Sequence, residues 1–171
     1  MSKFLVIAIF LICCQCYSQN KQDVFQVAKS GALGSAKELI AENENAFRVT
    51  DNRGFSPLIL AAYSGNNEVA TFIMPYSDVN LLTTMGTALM ASVVKGNVEL
   101  TRHLLQNKVN TDLADANGTT ALMYAVQFKN KEMVELLIKH NADKSLIDRK
   151  GRTAFEMAVM NSDELIINLL K

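Results

Sequence analysis

Apolar and polar positions along this chain fall into blocks that return at a nearly constant distance. Leu58, Leu89, Leu122 and Phe155 anchor four short apolar runs spaced 31, 33 and 33 residues apart. Ile73, Leu104, Leu137 and Leu170 anchor a second run after each, again 31, 33 and 33 residues apart. Two landmarks keeping one spacing identify an internal repeat, and a period in this range belongs to solenoid architectures. Within a unit the first run is short and rich in small residues, as from Ala121 to Phe128. After a polar break, the stretch from Lys131 to His140 places Met133, Val134, Leu137 and Ile138 on one helical face. Lys139 and His140 then suit the negative end of the helix dipole. Each unit thus predicts two short helices, with turn-rich segments such as Asn141 to Gly151 leading to the next.

The aligned starts read GFSPLILAAYSGN from Gly54, MGTALMASVVKGN from Met85, GTTALMYAVQFKN from Gly118 and GRTAFEMAVMNSD from Gly151. Asp51-Asn52-Arg53-Gly54-Phe55-Ser56-Pro57-Leu58, followed by Ala61, Ala62 and Gly65, resembles the ankyrin repeat. Asp115 to Leu122 and Asp148 to Ala154 repeat the same signature, and LLQNKVN from Leu104 and LLIKHNAD from Leu136 resemble the family's second-helix exit. The resemblance covers about Gln22 to Lys171. It implies an all-α repeat solenoid: an ankyrin stack of about five helix–turn–helix units joined by β-hairpin-like turns. The approximate repeats are 21–50, 51–81, 82–114, 115–147 and 148–171.

Elementary chemistry accounts for the pattern. Gly54, Gly118 and Gly151 stand where the chain reverses with a positive φ. Ser56, Thr87, Thr120 and Thr153 can cap each first helix by accepting a backbone N–H. Ala61, Ala62, Ser92 and Ala125 let helices approach closely. A single unit leaves its apolar face bare, so the units must stack. Lys21 to Asn45 forms a weaker first unit, in which Val27 to Gly31 parallels Ala61 to Gly65 and Leu39-Ile40 parallels Ile73-Met74. At the other end Asp163, Glu164, Asn168 and Lys171 predict a polar outer face suited to a cap.

Two departures stand out. The segment from Met74 to Thr84 is two residues short, and Met85 occupies the glycine place with Gly86 one step late. A methionine at positive φ would be strained by about 1–2 kcal/mol, so this hairpin is expected to be reshaped, by drift in a tolerant loop in preference to the alternative of a specialised contact site. The family's histidine is replaced by Ile59, Met90, Met123 and Glu156, which predicts less rigid turns.

Ahead of the repeats, Lys3 precedes an unbroken apolar run of eleven residues from Phe4 to Cys14. The chain turns polar at Gln15, with Cys16 and Ser18 placed for cleavage before Gln19. This is the layout of a secretory signal peptide over 1–18, leaving 19–171 as the repeat domain. Eleven apolar residues fall short of the roughly 20 that span a bilayer, so no stable membrane span is expected. A buried N-terminal helix is disfavoured because the run has no polar stripe. A lipid anchor at Cys14 is disfavoured because Cys13, not a smaller residue, precedes it. Cys13, Cys14 and Cys16 are the only cysteines, so the mature chain must be held by packing rather than disulfides. The expected location is the periplasm or the extracellular space of a bacterium.

Charge excludes more than it suggests. Lys and Arg number 17 against 17 Asp and Glu, for a net charge of zero. Losing Lys3 makes the mature chain minus one. A nucleic-acid binder carries a basic face and a high isoelectric point, so nucleic acid is not expected as a partner. His103 and His140 fall in different repeats at unaligned positions, which does not suit a metal site. No nucleophile elbow or glycine-rich phosphate loop is present. Glu42 and Glu44, like Asp163 and Glu164, lie in polar segments without the enclosure that separates carboxylate pKa values. Met90 and Met123 read as core filling. The chain is expected to be a non-enzyme with no catalytic residue, metal or cofactor.

The resemblance implies a protein partner held by hairpin tips and the concave face of a monomer. Carried over by position, the tip residues are Asn52, Arg53, Phe55, Thr84, Asn117, Thr119, Arg149, Lys150 and Arg152. The first-helix positions are Tyr63, Val94, Gln127, Phe128 and Met160. Phe55, Tyr63 and Phe128 lead, because aromatic side chains dominate interface hot spots. The competing expectation is a passive structural or envelope-assembly scaffold.

Overall fold

The computed structural model describes residues 24–171. The expected leader at 1–18, and with it Cys13, Cys14 and Cys16, lies outside the described residues. A helix at 24–30, here α1, is followed by α2 (Leu33–Glu42), α3 (Pro57–Ser64), α4 (Asn67–Ile73), α5 (Ala88–Val94), α6 (Val98–Gln106), α7 (Ala121–Gln127), α8 (Lys131–Lys139), α9 (Ala154–Met160) and α10 (Glu164–Leu170). These are the expected pairs of short helices. Along one layer α3 packs on α5, α5 on α7 and α7 on α9; along the other α2, α4, α6, α8 and α10 follow in turn. The result is an all-helical repeat solenoid, its core the seam between the layers.

From α3 onward each helix starts where a side chain can accept an orphan N–H, whereas α2 begins after Ala32 without a side-chain cap. Ser56, Thr87, Thr120 and Thr153 accept from the amides of Ile59, Met90, Met123 and Glu156, as expected. At Thr153 the Glu156 carboxylate reaches back and completes a capping box. The second helices use Asn66, Asn97, Asn130 and Asp163 in the same way. Between paired helices the chain enters the left-handed region, at Gly65 (φ +73°) and Gly96 (φ +65°). Lys129 and Ser162 adopt that conformation in the later units, at roughly 1–2 kcal/mol each. Phe128 and His140 sit one residue past α7 and α8, capping them instead of extending them.

Packing follows the small residues. Ala61, Ala62, Ala91, Ser92, Ala125 and Ala158 are all without exposure. Larger side chains, among them Leu58, Leu89, Leu122, Leu104 and Met133, fill the space between layers, each worth about 1.5–3 kcal/mol of burial. The buried Ser92 hydroxyl is 2.8 Å from Thr101 Oγ1 and donates to the Leu89 carbonyl. Neighbouring loops are also tied in register: the Asn110 amide donates to Asn80 Oδ1 at 2.8 Å, and the Asp143 amide to Asp112 Oδ1 at 2.9 Å.

The short unit is missing one residue at each of two places. Pro75 ends α4 early in a 3₁₀ turn (Met74–Tyr76), where later units carry one more residue and a left-handed exit at Lys108 or Asn141. The second loss is in the hairpin. Thr83 and Gly86 exchange both backbone hydrogen bonds across a two-residue tip, and Gly86 takes the positive φ of 96°. Met85 is therefore not strained. A β-carbon on Gly86 would lie 2.5 Å from Met90 Sδ. Met90, in the histidine's place, fills the floor of this turn.

One expectation is corrected. The C-terminal end is mixed, not wholly polar: Glu164, Asn168 and Lys171 are exposed as expected, but so are Val159 (49%), Leu165 (63%) and Met160 (67%). Val159 holds the place of Val93 and Val126, which a following unit covers. Asp163 is drawn inward as a helix cap instead of coating that face.

Candidate functional site

An aspartate organises each regular hairpin tip. Asp51 Oδ1 accepts from the amides of Arg53 and Phe55, both at 2.9 Å. Asp115 Oδ1 accepts from Asn117 at 2.7 Å and Thr119 at 2.9 Å. Asp148 Oδ1 accepts from Lys150 at 2.8 Å and Arg152 at 2.9 Å. Gly54, Gly118 and Gly151 then take the expected positive φ. In the short hairpin Thr83 does the carboxylate's work, accepting from the Met85 amide and donating to the Gly86 carbonyl. The turns are thus fastened from within.

The second oxygen of each aspartate fixes a side chain. Asp51 Oδ2 holds the Arg53 guanidinium at 3.2 Å, and Asp148 Oδ2 holds Arg152 by two bonds of 3.0 and 2.6 Å. Asp115 Oδ2 accepts from the Tyr124 hydroxyl at 2.6 Å. Arg53 then lies 5.0 Å over the Phe55 ring, and Phe55 meets Tyr63 edge-on at 6.4 Å. The Tyr63 hydroxyl donates to the Met85 carbonyl at 3.3 Å, linking α3 to the next tip. Phe128 stacks on Tyr124 at 6.5 Å. Of the expected residues, Gln127, Lys150, Arg152 and Met160 gather with Met157 and Asn161 around a depression of about 290 Å³. Asn52, Thr84, Asn117 and Arg149 are exposed at the tips, while Val94 and Thr119 are half-buried.

Burial pushes the Asp115 carboxyl up, but bonds from Tyr124, Thr119 and Asn117 outweigh it and hold it below its ordinary value. Asp51 is depressed in the same way, its burial outweighed by the amides of Phe55 and Arg53. At Asp148 the Arg152 side chain is the leading cause of the depression. Tyr124 moves up, first by burial and then through Asp115. Tyr63 moves up by burial and by the charge of Asp115. Carboxylates depressed on folding stabilise above their unfolded pKa, near 3.9, and that stabilisation is lost as pH falls through the folded values. The urea midpoint should therefore hold steady from about pH 7 to pH 5 and fall below about pH 4. Asp115→Asn should flatten part of that fall; an unchanged acid profile would show that this tip carries no such linkage.

Sequence reasoning missed Tyr124 and the mechanical role of the aspartates. Tyr124 precedes Phe128 by four residues, a spacing that puts both on one helical face. Among the described residues no group of three or more His, Cys, Asp or Glu could hold a metal ion. No helix among them is long and apolar enough to cross a membrane.

Comparison with known proteins settles the family. A model of ankyrin repeats in three copies matches residues 24–115 and 89–171. The chain belongs to the ankyrin-repeat family. Ankyrin repeat and SAM domain-containing protein 6 of Rattus norvegicus is 29% identical over 105 residues, 60% of this chain and 12% of that protein. Its counterpart in Mus musculus is 28% identical over 105 residues, with the same coverage. This ankyrin chain therefore matches only a small part of the curated relatives' length. Ankyrin repeats are generally protein–protein interaction modules, and members of the family are typically non-enzymatic.

Proposed function

We propose that this chain is a non-enzymatic protein-interaction module of the periplasm or extracellular space, gripping its partner with the hairpin tips and concave face. The observation that carries this reading is the fastening of Arg53, Phe55, Tyr63 and Arg152, candidate contact residues, by bonds made before any partner arrives. Side chains already held in place lose less entropy on association. Aromatic and Arg residues are the types that dominate binding hot spots. Export is supported by Lys3, the apolar run from Phe4 to Cys14 and the polar turn at Gln15. On this reading 1–18 is the leader, 19–171 acts as a monomer, and no cofactor is needed.

The test is a C-terminally tagged chain made in its own cells and recovered from envelope and secreted fractions. Its N-terminus should read Gln19, and one protein should co-purify. Replacing Phe55, Tyr63 and Phe128 together by alanine should weaken capture at least about 30-fold, the effect of a single hot spot. The helical circular-dichroism spectrum should be retained with a lower unfolding temperature, because Phe55 and Tyr63 also pack on the core. A partner held equally well by the variant would rule out this face. A recovered chain with nothing enriched would favour the passive scaffold.

A further inference from the structure

The candidate groove changes chemistry from one end to the other. Aligning each first helix on its capping residue gives the row Tyr63, Val94, Gln127 and Met160. The residues just before each cap are Phe55, Gly86, Thr119 and Arg152, and the tips carry Arg53, Met85, Asn117 and Lys150 in turn. The second unit is aromatic, with Arg53 occupied by Asp51 and by the Phe55 ring. The middle is uncharged, with Met85, Val94 and the stacked Tyr124 and Phe128 rings. The last unit is cationic over a thioether floor: Lys150 and Arg152 border the depression that Met157 and Met160 line, with the Gln127 and Asn161 amides beside them. Arg149 is exposed next to it.

The acids nearby are committed. Asp148 is spent on Arg152 and on two tip amides, and Glu156 on the Thr153 amide and hydroxyl. Lys150 enters no ion pair among the described residues. Arg152 is neutralised in turn by Asp148, and Glu156 keeps its own charge. The local positive excess therefore comes from Lys150 and Arg149, beside exposed apolar surface in which Met160 is 67% exposed. Such a site complements a carboxylate carried next to an apolar side chain.

We infer that the partner presents an extended peptide segment with an acidic residue in the Lys150–Arg152–Met160 depression and an aromatic or aliphatic residue on Phe55 and Tyr63. This deepens the protein-binding reading and rests on it. Helices packed 8–10 Å apart put the second and last units, three steps apart, at roughly 24–30 Å. An extended chain covers that in roughly eight residues. Charge complementarity at one end then sets the direction in which the segment lies.

The experiment screens the immobilised full chain against a randomised nonapeptide library and sequences the retained pool. The pool should be enriched in Asp or Glu at one end and in apolar residues at the other. Lys150→Glu is the informative variant, because Lys150 makes no side-chain bond that holds the turn. It should weaken a fluorescein-labelled consensus peptide at least about tenfold and shift selection toward Lys or Arg at that end. A pool without acidic preference, or a preference that Lys150→Glu leaves unchanged, would overturn the assignment. Inorganic tripolyphosphate competing as well as the peptide would also overturn it, by showing a generic anion patch. A library from which nothing is retained rejects a linear acidic segment. Capture of a folded partner that depends on Phe55, Tyr63 and Phe128 would then still stand as a separate result.

Discussion

Leu122→Ala should destabilise the protein by about 2–5 kcal/mol, measured as a fall in the urea midpoint with little change in slope. Leu122 is 1% exposed and lies in α7, which packs on α5, α8 and α9. The missing atoms would leave a cavity that the surroundings fill poorly. The flanking first helices carry Ala91, Ser92 and Ala158, already fully buried, and none of these short side chains can swing into the gap. In a stack each unit is stabilised through its neighbours, so damage to this inner unit also weakens the interfaces on either side. A loss well under about 1 kcal/mol, below the usual range for such truncations, would mean that the 33-residue register has been misplaced.

Phe47→Ala should cost about 3–5 kcal/mol, but with a different distribution. Phe47 has no exposed surface although it lies in a turn segment between α2 and the first hairpin. Backbone bonds from Ala46 to Asn43 and from Arg48 to Asn45 hold that segment. Phe47 joins the apolar cluster that includes Val24, Ala28 and Ala36 of the first unit. An end unit has a neighbour on one side only, so losing its plug should release it locally. Hydrogen exchange should quicken over α1 and α2 while α7 and α8 keep their protection. Equal quickening throughout would show that the first unit is not a separable cap.

These two residues mark the boundary of what the sequence discloses. Leu122 was legible because it recurs in phase with Leu58 and Leu89, and helical burial follows phase. The helix caps were legible for a similar reason: Ser or Thr before an apolar run has one local bond to make, and Ser56, Thr87, Thr120 and Thr153 make it. Phe47 belongs to no periodic element, so only the tertiary arrangement reveals its burial. Within the candidate site the exposed tip residues could be placed by position. The bond between Tyr124 and Asp115 could not, because it joins a helix to a hairpin nine residues away. At the C-terminal end Val159 looks locally like Val126; whether a neighbour covers it is not written in the surrounding residues. The shortened hairpin was legible as a deletion, but its division between Pro75 and the Gly86 turn depends on how two loops close.

The bonds from the amides of Asn110 and Asp143 to Asn80 and Asp112 bear on how a gene of this kind tolerates change. They are equivalent, and so are the loops that make them. In-frame loss of the codons for residues 83–114 would set Asn80 opposite the Asp143 amide, exchanging one donor for another of the same geometry. Loss of a single codon inside α7 would rotate every later residue of that helix by about 100°, with no equivalent partner waiting. For such a molecule a large excision is milder than a small one: its length is open to mutation and its phase is not.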